Sequence, residues 1–147
     1  YRHITNMSNT GVTVANEVVS EFDEFKLKGK YRYLILKLND SNEEVVIEHQ
    51  GAPDSDYESF TALLPDNDCR YAVYNIEYTT ESDGERSKMV FFLWAPDTAK
   101  IKPKMLYAGT KDTVKKSLQG LQVEVQGTDK SEVSKEAVID KCKSLSK

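Results

Sequence analysis

The chain has few of the residues and segments that mark specialised protein classes. Its two cysteines, Cys69 and Cys142, are too few for a disulfide framework or a cysteine-based metal site, so a reducing cytoplasm is the expected compartment. No apolar run approaches the ~20 residues that a membrane-spanning helix needs. Hydrophobic residues at 39% and aromatic residues at 10% exclude wholesale disorder. The 147 residues are therefore expected to form one domain with a substantial core.

Motifs of the common enzyme classes are also missing. The sequence contains no GxxxxGK[ST], GxGxxG, GxSxG or HExxH pattern. His3 lies in the segment 1–6, which we expect to be separate from the domain. His49 lies at the end of a predicted strand beside an acidic turn, where a surface histidine is the simpler interpretation. Cys69 has only Arg70 as a nearby cation, so we expect a packed thiol. The sequence predicts a protein that is not an enzyme and has no catalytic residues, cofactor or metal.

Charge is distributed unevenly along the chain. The formal net charge is −4, yet residues 38–69 contain nine acids and no Lys or Arg, while residues 100–116 contain six Lys and one Asp. Such polarity orients a protein during its encounter with a partner. The acidic half argues against nucleic-acid binding, which is usually accompanied by a basic domain.

Hydrophobic periodicity predicts a mixed order of helices and strands. We expect a helix that begins at Asn16 as N-cap and stops near Leu27 before Gly29. A short helix over 57–64 is expected to turn Tyr57, Phe60, Leu63 and Leu64 inward. A long helix has Pro103 in its first turn, where the missing N–H costs nothing. The last helix covers 134–144, and the strands cover 31–38, 44–50, 70–79, 88–95 and 121–126.

The order of these elements indicates the architecture. The first four strands form two hairpins, the second of which has a polar loop over 80–86, and the apolar segment 88–95 is expected to be a central strand. A helical crossover normally returns a strand parallel to its predecessor, so the sheet should be mixed. The predicted fold is therefore a three-layer α/β sandwich, in which a mixed sheet of five or so strands lies between helices.

The long helix has two distinct faces. A 3.6-residue period places Tyr107, Val114, Leu118 and Leu121 on a buried stripe. The opposite face carries Lys102, Met105, Gly109, Asp112 and Lys116. An exposed apolar side chain ringed by positive charges can anchor a partner while the charges steer the encounter. The alternative is an ordinary solvated helix with one stray Met.

Three segments then match a known family in order and spacing. Residues 68–78 (DCRYAVYNIEY), 87–118 (SKMVFFLWAPDTAKIKPKMLYAGTKDTVKKSL) and 120–129 (GLQVEVQGTD) closely resemble the actin-depolymerising factor/cofilin family, over residues 7 to about 144. The resemblance implies a non-enzymatic protein of the cytoplasmic actin cytoskeleton. Such proteins bind actin monomers and filaments, and sever and depolymerise filaments.

The resemblance also implies the functional positions. A surface that binds both monomer and filament falls on Thr10, Gly11, Val12, Lys102, Lys104, Met105, Lys111, Asp112 and Lys116. A filament-specific surface falls on Arg86, Lys88, Asp140 and Lys141, although Ser144 stands where some members have a further basic residue. Thr10 occupies the place of the family's regulatory serine, so phosphorylation is expected at Thr10, with Ser8 as the fallback.

Three alternatives and several finer expectations remain open. The same fold could serve as a monomer sequesterer without the filament surface, or as a phosphoinositide-regulated module that uses Lys102, Lys104 and Lys116. An undiscovered enzyme is a distant third. We expect a monomer whose single domain covers 7–147, preceded by a leader over 1–6.

Overall fold

A six-stranded mixed sheet forms the centre of the protein in the computed structural model, which describes residues 10–145. The strands are β1 (Thr13–Val14), β2 (Tyr33–Leu38), β3 (Glu44–Gly51), β4 (Arg70–Thr80), β5 (Gly84–Trp94) and β6 (Val123–Gly127). Their order in the sheet is β1-β3-β2-β4-β5-β6. β1 pairs parallel with β3 and β6 pairs parallel with β5, whereas the other neighbours are antiparallel. The prediction of a mixed sheet with β5 inside it is confirmed.

Helices cover both faces of this sheet and confirm the three-layer prediction. They are α1 (Asn16–Lys28), α2 (Tyr57–Ala62), α3 (Ile101–Ser117) and α4 (Lys135–Leu145), with a 3₁₀ turn at Lys130–Val133 before α4. The cores of α1 and α3 belong to one hydrophobic cluster, and those of α2 and α4 belong to the other. We call the two sides of the sheet the α3 side and the α4 side.

The alternation of side chains along β4 divides the core. Tyr71 and Val73 join the cluster on the α3 side, while Ala72, Tyr74 and Ile76 join the cluster on the α4 side. On the α4 side, Phe60 packs against several rings, with centroid distances of 5.0 Å to Tyr74 and 5.2 Å to Phe92. Aromatic contacts of this kind add to the stabilisation that area burial gives.

Three local predictions were wrong. Asn16 is not the N-cap of α1 but its first helical residue, because Ala15 is the N-cap and no side chain caps the helix. Leu63 is not inward: α2 ends at Ala62, so Leu63 is a C-cap residue with 36% of its surface exposed. The loop predicted over 80–86 is much shorter, because Thr79 still pairs with Glu85 and Thr80 with Gly84. Backbone hydrogen bonds between β4 and β5 continue beyond the core, although the side chains at the end of this hairpin are polar. Arg86 therefore lies within β5.

Candidate functional site

The outward face of α3 is the first candidate surface. Met105 is 67% exposed, and Lys102, Gly109, Asp112 and Lys116 are also exposed, which confirms the face predicted from helical spacing. Ile101, 74% exposed and one turn before Met105, was missed. The spacing of four residues between them was the signal that could have found it.

Buried hydrogen bonds on the opposite face fix the position of α3. The Leu38 N–H of β2 donates to the Tyr107 hydroxyl at 2.9 Å, and the Tyr71 hydroxyl of β4 donates to the Tyr107 carbonyl at 2.5 Å. Burial raises the pKa of Tyr107 to about 12, so its hydroxyl stays neutral. Because two strands hold one helical residue, the outward face of α3 has a defined direction.

The lysines of α3 differ in their partners. Lys104 donates from Nζ to the Asp97 carbonyl at 2.9 Å. Lys111 forms an ion pair with Glu124 of β6 at 2.9 Å, and Lys115 binds the same carboxylate. Burial alone would raise the pKa of Glu124, but hydrogen bonds from Lys115 and Lys111 outweigh it and lower the pKa to about 2.

This difference divides the predicted binding lysines into two kinds. Lys102 and Lys116 are exposed and make no ion pair with any residue between 10 and 145. Lys111, also predicted as a contact, is directed to β6 instead, with only 21% of its side chain exposed. Lys102 and Lys116 are therefore the cations that are most available to a partner.

The N-terminal segment lies against α3. The Thr10 and Thr110 hydroxyls are 2.8 Å apart, within hydrogen-bonding distance. Gly11 has a positive φ of 82° and turns the chain, so that Val12 enters the core with 1% of its surface exposed. The structure thus brings Thr10 and Gly11 beside α3, as the predicted shared surface requires. The prediction that Val12 belongs to this surface is wrong, because its side chain is buried in the core and anchors the segment from below. Ser8 lies outside the described residues.

The second candidate surface lies on the α4 side. Arg86 pairs with Tyr78 and Lys88 with Ile76, and both partners belong to the α4-side core. Residues directly opposite in an antiparallel pair project to the same face. Burial raises the pKa of the Cys142 thiol in α4 and the charge of Lys88 opposes that shift, which places Lys88 near α4.

Exposed charges of α4 complete this second surface. Asp140 and Lys141 are both exposed on the helix that packs over this side of the sheet. Arg86 forms an ion pair with Asp83 of the hairpin turn at 2.9 Å. We call Arg86, Lys88, Asp140 and Lys141 the hairpin surface. The α3 surface comprises Thr10, Gly11, Ile101, Lys102, Met105, Asp112 and Lys116.

The described residues contain neither a group of potential metal ligands nor a membrane-spanning helix. Across residues 10–145, no three His, Cys, Asp or Glu side chains are grouped so that they could hold a metal ion. None of the helices in the same range is long and apolar enough to cross a membrane. The α3 surface has exposed charges around a small apolar centre, an arrangement typical of a protein contact.

Comparison with known proteins identifies the family. Residues 11–143 match the family model of cofilin/tropomyosin-type actin-binding proteins. The chain belongs to the ADF/cofilin family. It is 48% identical over 134 residues to actophorin from Acanthamoeba castellanii, covering 91% of this chain and 96% of the relative. It is 47% identical over 138 residues to cofilin from Yarrowia lipolytica, covering 93% and 90%.

Structural similarity agrees with the sequence match. The crystal structure of Streptomyces griseoflavus cofilin matches with a TM-score of 0.82 at 45% identity, covering 89% of this chain and 96% of that one. The family resemblance and the α/β fold predicted from the sequence are both confirmed. The ADF/cofilin match spans both surfaces from Gly11 to Lys141, and Thr10 lies one residue before it.

Proposed function

We propose that this ADF/cofilin protein binds actin monomers and filaments through the α3 surface. The observation that carries the proposal is Met105, an apolar side chain 67% exposed on a helix whose opposite face is held by buried hydrogen bonds. A rigid apolar anchor with cations at its rim is typical of the centre of a protein interface. Lys102 and Lys116 lie on the same exposed face and supply those rim charges.

The hairpin surface is proposed to contact a second actin subunit in the filament. It lies on the α4 side of the sheet, whereas the α3 surface lies on the other side. Two surfaces on opposite sides suit a protein that bridges two neighbouring subunits. A ligand shifts a conformational equilibrium only by its differential affinity. Binding at both surfaces would then favour an altered filament conformation and promote severing and depolymerisation.

The test separates severing from sequestering. Purified protein is added to fluorescent actin filaments under a light microscope, and filament binding is measured in parallel by co-sedimentation. Our proposal requires binding along filaments and breaks within them. Shortening from the ends without filament binding would instead indicate a monomer sequesterer, the alternative in which the hairpin surface is idle.

Phosphorylation of Thr10 is proposed to switch off the α3 surface. Thr10 is exposed, and its hydroxyl contacts that of Thr110. A phosphate adds a charge of about −1.5 to −2 at neutral pH. It would also need space where Thr10 now packs against α3, so we expect it to displace the N-terminal segment and to repel an acidic partner. Ser8 remains the fallback acceptor.

Phosphoinositides are proposed as competing ligands of the same surface. Lys102 and Lys116 are the exposed cations, and Lys104 lies on the same helix. Lysines near an anionic membrane contribute about 1 kcal/mol each to binding. Flotation with vesicles containing or lacking an anionic phosphoinositide, with and without actin monomer, tests the competition. We further propose that the free protein is a cytoplasmic monomer, which sedimentation and fractionation can check.

A further inference from the structure

We propose that Thr110 and Gly109 form a socket that fixes the N-terminal segment on α3, and that this socket sets the affinity for actin through the position of that segment. Thr110 is thus inferred to be a positioning residue. The inference rests on the proposed function, because it assumes that Thr10 and Gly11 belong to the actin-binding surface. The contact itself is independent of that assumption.

The hydroxyl of Thr110 is the polar centre of the socket. Its side chain is completely buried, yet its Oγ1 lies 2.8 Å from that of Thr10, which is exposed. A buried hydroxyl that loses one of its hydrogen bonds costs free energy, so this group favours the docked position of Thr10. Thr110 also forms a hydrogen bond with the buried side chain of Tyr71. Burial raises the pKa of Tyr71, and this hydrogen bond partly opposes the rise.

Gly109 provides the space beside this hydroxyl. A Cβ atom at position 109 would lie 2.9 Å from the Thr10 Cγ2 atom, closer than real Cβ contacts allow. Gly109 is exposed and lies within α3, where glycine is less favourable than alanine by roughly 1 kcal/mol. The close approach of Thr10 gives a physical reason for a glycine at this position.

The other end of the segment is held by the sheet. Val12 is buried, and the Thr13 N–H donates to the Glu43 carbonyl at 3.0 Å as β1 pairs with β3. Between these anchors and the socket lies Gly11, whose positive φ directs the chain from the core to α3. The socket therefore decides where the exposed part of the segment lies relative to Lys102 and Met105.

The experiment measures the socket first without actin. Thr110→Val keeps the volume and removes the hydroxyl, Thr110→Ser keeps the hydroxyl, and Gly109→Ala introduces the clash. Thr113→Val is the matched control on the same helix. We expect Thr110→Val and Gly109→Ala to accelerate amide exchange of residues 11–14 about fivefold, the effect of one neutral hydrogen bond. Thr110→Ser and Thr113→Val should exchange like the wild type.

A second variant guards against a folding effect. Thr10→Val removes the same hydrogen bond from the exposed side and should give the same acceleration, and the double variant Thr10→Val/Thr110→Val should add little to it. Equal exchange in Thr110→Val and Thr113→Val would overturn the socket. So would acceleration spread over the whole domain, because it would show a general loss of stability.

Actin affinity then tests the functional half of the inference. Thr110→Val should weaken monomer binding about fivefold in a fluorescence titration, and Thr110→Ser should restore it. Faster exchange with wild-type affinity would overturn the claim that the socket sets affinity. If the wild type bound no actin at all, the proposed function would fail, while the exchange data would still decide whether the socket exists.

Discussion

The α3 surface and the hairpin surface are built differently. The α3 surface lies on a helix that two strands hold through Tyr107, with the N-terminal segment docked beside it. The basic pair of the hairpin surface lies on a strand that extends beyond the core, near the last helix. A preorganised surface loses less conformational entropy on binding. We therefore expect the α3 surface to contribute most of the affinity and the hairpin surface to add filament selectivity.

The charged side chains of the two surfaces also differ in how firmly intramolecular partners hold them. On α3, Lys104 and Lys111 are held by intramolecular partners. The exposed Met105 therefore lies between the two available cations, Lys102 and Lys116. In the hairpin, Arg86 forms an ion pair with Asp83, in which the two side chains are 33% and 55% exposed. Such pairs contribute roughly 0–1 kcal/mol, so Arg86 can exchange Asp83 for an actin carboxylate at little cost.

The largest effect is expected when the α3 surface loses its charges. Lys102→Ala/Lys116→Ala should weaken binding to monomer and filament alike by roughly 10- to 100-fold, because both forms of actin present the surface that α3 binds. Fluorescence titration and co-sedimentation measure the two affinities. Lys28→Ala/Lys30→Ala, a change of equal charge at the end of α1, is the control. Wild-type monomer affinity in the α3 variant would reject this assignment.

A negative charge on the N-terminal segment should have the next largest effect. Thr10→Glu is expected to weaken actin binding roughly tenfold through repulsion and loss of the contact with Thr110, with little change in melting temperature. Thr10→Ala separates the lost hydroxyl from the added charge, and Ser8→Glu tests the fallback site. Unchanged binding in both Glu variants would reject the switch. A large drop in melting temperature would mean that Thr10 is a structural residue.

Ionic strength should distinguish the two surfaces. Exposed charges are screened over about 8–10 Å at physiological salt, so filament binding should weaken more steeply with added salt than monomer binding does. Between 50 and 200 mM salt, we expect filament affinity to fall about threefold more than monomer affinity does. Arg86→Ala/Lys88→Ala should remove this difference. If filament and monomer affinity of the wild type fell equally with added salt, the hairpin charges would make no electrostatic contact in the filament.

The smallest effect concerns the support behind α3. The pKa of Glu124 is lowered from 4.5 to about 2, so its contribution to stability is complete above pH 4.5 and is lost as the pH falls towards 2. Glu124→Gln should lower the melting temperature at pH 7 by about 3 °C, and the difference from wild type should shrink in acid. Glu43→Gln serves as the control. A difference that persisted at pH 2 would contradict the ion-pair explanation.

Hydrophobic periodicity predicted the helices and strands that form the layers, and it predicted the exposed face of α3. Both depend on the spacing of residues within one element. Periodicity could not predict the docking of Thr10 on Thr110, since these residues are 100 positions apart and meet only in the folded chain. The partner of Lys111 was missed for the same reason, because Glu124 belongs to a strand after the helix. The hairpin was predicted too short because its polar side chains concealed a backbone ladder.

The central claim is that the two surfaces bind different actin subunits, and the filament-to-monomer affinity ratio tests it most directly. The ratio is measured side by side for the wild type, Lys102→Ala/Lys116→Ala and Arg86→Ala/Lys88→Ala. We expect the α3 variant to keep the wild-type ratio, and the hairpin variant to lower it about tenfold while monomer affinity stays unchanged. Equal losses of monomer and filament affinity in the hairpin variant would contradict the account.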